Sequence, residues 1–448
     1  MKKQQAALVC SVMALAVGLA GCGQNNAPSA PSAGDASKSG SAAAGGPVKI
    51  TIMSASQTET PAGPTEKSIA DEYMKQHPNV KIEFIGVPMN DMYKKITALA
   101  TGGDLPDAFT NTPEFMNTAY GMNITADLTK LLGADYLKEF YPNIIQESSV
   151  EGKLQFIPWT AAPQALIYRG DWFEKEGLKA PETWDDFLDA AKKLTKDTNG
   201  DGKADQWGFA MIGTRNTSGG TRFLPVLRSF GADELKKDAS GKWITELNTP
   251  NAKAALQFYA DLNNKYGVVP PGVTETGFPE AASLIATGKA GMIISGPNAI
   301  GTILSQNPDL KGKLYSAPIP KKEKNSATFG LLGYSVSEAS KNKEAVADYL
   351  KFLVNKENAL KMNESTGYLP TKADVGQSQQ LSTPEKAGFV KALTFAYSAP
   401  TLSTYSQFYD IVAEAYQSML ASGSKITADD AAKKAADRAN ELIGKEGK

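Results

Sequence analysis

Beyond residue 47 the chain alternates short apolar runs with stretches whose apolar residues recur every three or four positions. Val48 to Met53 is a compact apolar run of strand length, Thr65 to Gln76 places Ile69 and Tyr73 on one helical face, and Val80 to Ile85 is a second strand. Strand, helix and strand in that order predict a βαβ unit with parallel strands and a right-handed crossover. A further helix is predicted from about Asp91 to Thr101, stopping at Gly102-Gly103, after which Leu105-Pro106 leads into a short strand from Asp107 to Thr110. Farther along, Thr183 with Asp186 three residues on has the pattern of a helix N-cap, and Trp184, Phe187, Leu188, Ala191 and Leu194 form the buried stripe behind it. Trp207 to Met211 has the composition of a strand, and Thr427 to Ile443 closes the chain as a helix. The alternation predicts an α/β fold, with a ligand site outside the carboxyl ends of its parallel strands.

The first residues follow a different rule. Lys2 and Lys3 precede an apolar run from Ala6 to Leu19, too short for a permanent membrane span but suited to a secretory signal. The run ends in Leu19-Ala20-Gly21-Cys22, which resembles the lipobox of bacterial lipoproteins. Residues 1–21 are therefore expected to be a signal peptide, with Cys22 lipidated and anchored by at least two acyl chains to the extracytoplasmic face of the bacterial cell membrane. Gly23 to Pro47 is almost entirely Gly, Ser, Ala, Pro and Asn and predicts a disordered tether. Such a tether would have a reach on the order of 25 to 30 Å.

Composition removes several kinds of chemistry. The only two cysteines are Cys10, in the signal segment, and Cys22, so the processed chain has no disulfide, thiol nucleophile or cysteine-rich zinc site. The 47 basic and 48 acidic residues nearly balance and form no basic run, so nucleic acid is not an expected partner. His77 is the sole histidine and precedes Pro78, where a helix should end. There is no phosphate-binding Gly-x-x-x-x-Gly-Lys-[Ser/Thr] loop and no Gly-x-Ser-x-Gly elbow. No catalytic residue and no organic cofactor are assigned, and the body of about 400 residues is too large for one core.

Several segments, in order, carry a resemblance. They are Gly103-Asp104-Leu105-Pro106-Asp107, Gly152 to Trp159, Leu166 to Phe173, Pro181 to Phe187, Gly288 to Met292, Ala317 to Pro320 and Gly367 to Pro370. Together, behind a lipobox, they resemble the family 1 extracellular solute-binding proteins of ABC importers, the maltodextrin-binding-like group. The resemblance implies a two-lobed, periplasmic-binding-protein-like fold with a hinge and an interlobe ligand cleft. Residues 48–159 plus 331–376 would form lobe one, and 160–330 plus 377–448 lobe two. It implies a monomer that captures a sugar or short oligosaccharide by lobe closure and delivers it to the transmembrane subunits of an ABC permease. Carried over residue by residue, the cleft would hold Gln57, Glu59, Asp107, Asn111, Trp159, Tyr334, Tyr405 and Phe408. Where many relatives have Gly-Pro-Trp, this chain has Gly296-Pro297-Asn298, so Asn298 would replace a stacking platform. Trp172, Trp184 and Trp243 are expected to be structural.

The segment Asp197 to Gln206 has the oxygen spacing of the front of an EF-hand-like calcium loop. Asp197, Asn199, Asp201 and Asp205 supply side-chain oxygens, Lys203 a backbone carbonyl, and Gly202 the sharp turn. Gly208 stands where the closing glutamate is usual, and in related proteins the residue at Gln206 or one from elsewhere completes the set. A structural calcium ion is the expected occupant; an Asn/Asp/Gly turn is the alternative. For the whole chain, the alternatives are a lipid-anchored glycoside hydrolase, which needs two carboxylates about 5 to 10 Å apart, a binding protein for a non-sugar solute, and a surface-structural lipoprotein.

Overall fold

In the computed structural model, which describes residues 46–446 except 401, 403 and 422, the first apolar run is strand β1 (Val48–Ser54), with Ile50 and Ile52 fully buried. The signal segment, Cys22 and nearly all of the tether lie outside the described residues. β1 pairs in parallel with β2 (Val80–Gly86), Val48 opposite Val80 through Ser54 opposite Gly86, and also in parallel with β3 (Ala108–Asn111). The connections are helices α1 (Ala62–Gln76) and α2 (Met89–Gly102). α1 starts ahead of the predicted Thr65 because Pro64 falls in its first turn, where a missing N–H costs nothing. α2 stops at Gly103, whose φ of 76° is the left-handed conformation that ends helices. His77 caps the end of α1 and stacks on Tyr73.

After α3 (Pro113–Gly121) the chain runs through β4 (Ile157–Pro163) and, with only Gln164 between, into β5 (Ala165–Arg169). α4 (Trp184–Leu194) begins with the predicted reciprocal cap of Thr183 and Asp186, and Trp184, Phe187, Ala191 and Leu194 are buried behind it. β6 (Trp207–Phe209) is shorter than predicted; α5 (Thr217–Ser229), β7 (Ala290–Ser295), α6 (Asn298–Gln306) and β8 (Leu314–Ala317) follow. The chain returns through β9 (Phe329–Val336), α7 (Lys356–Thr366) and β10 (Leu369–Pro370), then ends in α8 (Ser406–Leu420) and α9 (Ala428–Glu446).

These strands form a six-stranded sheet in the order β10-β4-β9-β3-β1-β2 and a four-stranded sheet in the order β8-β5-β7-β6. β9 is antiparallel to both β3 and β4, so the parallel unit predicted at the start is one edge of a mixed sheet. Ile50, Ile69, Tyr73 and Val346 pack the core beside the first sheet. Trp184, Phe187, Phe223 and Tyr416 share a core that includes residues of α8 and α9, which places the C-terminal helices with the second sheet. The chain positions at which the sequence reading changes lobe, 159/160 and 330/331, fall inside β4 and β9. Among the described residues no helix is long and apolar enough to cross a membrane.

Candidate functional site

The carboxyl ends of β1 and β3 open on a cleft of about 560 Å³. Ser56 and Glu59 reach it from the turn after β1, Met89, Asn90 and Tyr93 from the first two turns of α2, and Thr112 and Glu114 from the start of α3. Trp159, Thr160 and Ala162 of β4, Gly330 to Leu332 of β9, and Met362 and Tyr368 complete the wall. Every one of these residues belongs to the six-stranded sheet or to elements packed on it. A second cavity, of about 520 Å³, is lined from both lobes, by Pro113 and Met116 of α3 on one side and by Arg228, Lys236, Trp243 and Tyr397 on the other.

The turn after β1 is held rigidly. α1 presses on it so closely that a Cβ on Gly63 would lie 2.7 Å from the Ser56 carbonyl oxygen. Behind it sits Glu66, fully buried, whose Oε2 accepts hydrogen bonds from Ser54 Oγ and Gln57 Nε2, both at 2.7 Å. Tyr334 Oη donates to its other oxygen and lies 2.7 Å from Ser54 Oγ. Burial pushes the Glu66 carboxyl above the usual carboxylate range, against the hydrogen bonds from Tyr334, Gln57 and Ser54. The sequence reading missed Glu66. The signal was present, because Glu66, Ile69, Ala70 and Tyr73 share the buried stripe of α1.

Of the residues carried over by resemblance, Glu59 and Trp159 reach the cleft. Trp159 is also a core residue, only 1% exposed and 5.8 Å from the Tyr334 ring, and its buried Nε1 has no hydrogen-bond partner among the described residues. Tyr334 is fully buried and turned toward Glu66, so it offers the cleft no face. A shift of register between Leu332 and Gly333 in β9 accompanies this placement, with Leu331 and Leu332 at the cleft. Gln57 spends its amide on Glu66 and the Gly63 carbonyl.

Asp107 is structural. It accepts hydrogen bonds from the Thr51 amide (2.9 Å), Thr51 Oγ1 (3.0 Å), Ser340 Oγ (2.6 Å) and Asn342 Nδ2 (3.2 Å). Burial alone would raise its carboxyl, but these hydrogen bonds outweigh burial and hold it below the usual range. Asn111 is fully buried, donating to Ser335 Oγ at 2.9 Å and accepting from the Thr112 amide. Tyr405 is buried with its hydroxyl on Glu234, and Phe408 is packed in the core of the second sheet. The residue of α8 near the cleft is instead Tyr409, half-buried, whose hydroxyl is pushed well above its ordinary range first by burial and then by Glu114 and Glu234. Asn298 is exposed on the first turn of α6; its neighbour Pro297 approaches the backbone of Gly367, next to the cleft residue Tyr368. Trp184 is buried as expected, Trp172 lies under Arg169, and Trp243 is half-buried beside Lys237.

The loop from Asp197 to Gln206 closes on itself. Asp197 accepts from the amides of Gly200 (2.6 Å), Asp201 (3.2 Å) and Gly202 (2.7 Å), and Asn199 and Asp201 each accept from the amide two residues on. Asp205 takes the amide and hydroxyl of Thr198, and Gln206 donates to the Leu194 carbonyl. Oxygen donors suit calcium in kind. In this arrangement, however, they are committed to the loop's own amides, and among the described residues no three acidic, histidine or cysteine side chains gather as a metal site.

The model of the bacterial extracellular solute-binding protein family matches residues 56–360. A probable ABC transporter-binding protein of Deinococcus radiodurans is 30% identical over 66% of this chain and 70% of its own length. The arabinooligosaccharide-binding protein of Bacillus subtilis is 28% identical over 70% of this chain and 72% of its own. Among solved structures, the maltose-bound MalE3 of T. maritima superposes with a TM-score of 0.68 at 27% identity, covering 88% of this chain and all of that one. With its two sheets, its cleft at the strand ends and these matches, the chain belongs to the family of bacterial extracellular solute-binding proteins and has their two-lobed fold.

Proposed function

We propose that this protein captures a sugar or short oligosaccharide outside the cytoplasm and delivers it to an ABC permease, held at the membrane by lipid on Cys22. The observation that carries the reading is the composition of the cleft. Tyr93, Tyr368 and Met89 offer apolar surface, with Trp159 and Met362 buried in the wall behind them, beside the polar groups of Ser56, Glu59, Asn90, Thr112 and Glu114. A pyranose presents the same mixture, with apolar C–H faces and a hydroxyl fringe. That relatives are described as arabinooligosaccharide-binding or solved with maltose supports the same class.

Binding works without bond cleavage in this reading: the ligand fills the cleft of the first lobe, and the second lobe closes over it, driven by ligand interactions that exist only in the closed form. The strands β4 and β9, which contain the proposed lobe boundaries, carry the hinge. The protein acts as a monomer. A structural calcium ion in the 197–206 loop is a proposal that rests on oxygen spacing, since the ion would have to displace amide donors from Asp197. The deciding experiment is a melting-temperature screen of mono- and oligosaccharides, with product analysis of the same mixtures. A ligand at 100 times its dissociation constant should add about 2.7 kcal/mol of stability. A panel in which no sugar shifts the melting temperature overturns the reading, and cleaved sugar overturns its non-enzymatic part.

A further inference from the structure

The cleft has a charge that its proposed ligand must match. Its only charged lining residues among those described are the carboxylates Glu59 and Glu114; no lysine, arginine or histidine reaches it. Glu114 is held in place: its Oε2 accepts from Thr112 Oγ1 at 2.5 Å, and that hydroxyl is in turn bonded to Tyr93 Oη. Tyr93 is itself fixed by stacking on Phe115, ring centres 4.4 Å apart. Glu114 also occupies the first turn of α3, where a helix would otherwise attract an anion, so the partial positive charge there is already answered. Cations of the second lobe are engaged elsewhere: in the cavity that α3 shares with that lobe, Arg228 pairs with Glu234 and Lys236 with Glu246. Arg215 pairs with Asp410 and Glu414, and Arg222 bonds Ser218 and Ser295.

Resting on the sugar reading above, we infer that the cleft selects uncharged and amino sugars and turns uronic acids away, with Glu114 as the residue that decides. Hydroxyl and ammonium groups donate to a fixed carboxylate. A sugar carboxylate has nothing to donate, meets no cationic fork that could hold it, and brings a like charge into a space that loses water as the ligand enters. Glu114 is exposed, so the repulsion is screened by salt until the ligand covers it.

The test is calorimetry on the full-length protein at neutral pH with matched pairs: glucose and glucuronate, galactose and galacturonate, with glucosamine and galactosamine beside them and short neutral and uronic oligosaccharides. The best-bound neutral or amino sugar should bind at least about tenfold more tightly than its matched uronate at low salt, a difference of about 1.4 kcal/mol. Glu114→Gln should narrow that gap by roughly threefold or more, and so should raising salt to about 0.5 M with the unmodified protein. The salt series stands on its own if the variant does not fold. A uronate that binds as tightly as its neutral partner overturns the inference while leaving the sugar reading intact. A gap that survives both salt and Glu114→Gln shows that charge does not set it, and one that only salt narrows removes Glu114 from the role. A panel in which nothing binds overturns the sugar reading and this inference with it.

Discussion

Two glutamates, one beside each sheet, are fully buried, and the protein accommodates them in opposite ways. Glu66, behind the cleft, is surrounded by neutral donors: Ser54, Gln57 and Tyr334. Glu234, in the second lobe, receives Arg228 through two parallel hydrogen bonds, Nε to Oε2 at 2.8 Å and Nη2 to Oε1 at 2.5 Å, plus the Tyr405 hydroxyl. Arg228 also lies 3.5 Å from the centre of the Tyr397 ring and is held protonated well above its ordinary range: burial opposes this, but Glu234 and Tyr397 outweigh it. A neutral nest can hold a carboxylic acid as well as a carboxylate. An ion pair tolerates no such change. Placing the neutral nest beside the ligand site keeps the cleft wall free of a rigid, charge-locked pair.

The largest effect that could break this contrast is expected at the ion pair. Glu234→Ala leaves Arg228 buried without its partner and should cost about 3–5 kcal/mol in urea unfolding. The double change Arg228→Met with Glu234→Leu should recover most of that loss. If the single variant unfolds like the parent, the pair is not the support described here. At the other glutamate, Tyr334→Phe removes one donor from Glu66 and should cost about 1–3 kcal/mol, read in the same way.

A smaller effect sharpens the contrast through pH. Because the folded-state carboxyl of Glu66 is raised, its proton is bound more tightly in the folded than in the unfolded chain. Its contribution is therefore fully present below the unfolded value of about 4.3 and is lost as pH rises through the raised folded value. Glu66→Gln imitates the protonated acid, so its stability relative to the parent should improve as pH rises from about 4 toward neutrality. A difference that stays flat across that range would mean that the folded and unfolded carboxyls titrate alike, so that burial does not raise Glu66. The smallest effect concerns the 197–206 loop. Asp197→Ala should lower the melting temperature by about 2 °C through the lost amide bonds. An equal drop with calcium and with chelator assigns Asp197 to the amides, whereas a drop confined to calcium assigns it to an ion.

Much of the fold was legible because it is encoded locally. The apolar runs at β1 and β2, the stop at Gly103 and the cap at Thr183 each depend on residues within one turn or one strand. The site was less legible, for two physical reasons. Asp107 finds its partners at Ser340 and Asn342, on a distant part of the chain, so nothing near it in sequence shows that its oxygens are spent. Aromatic residues announce burial but not direction. Tyr334 faces inward in a strand whose register shifts at Gly333, and Tyr405 and Phe408 are core residues where Tyr409, on the same helix, is near Glu114. Glu66 could have been found from its place on the apolar face of α1.

The close approach at Gly63 constrains how this binding protein can change over evolutionary time. Any larger residue there would drive α1 off the Ser56 carbonyl and displace the turn that carries Ser56 and Glu59. The backbone frame of the site is thereby frozen, while Asn90 and Glu114 stand exposed on the opening turns of two helices where substitution disturbs no packing. New ligand preferences in descendants of this chain should therefore arise by exchanging side chains on a fixed frame, with position 63 held constant and positions 90 and 114 changing where the ligand changes.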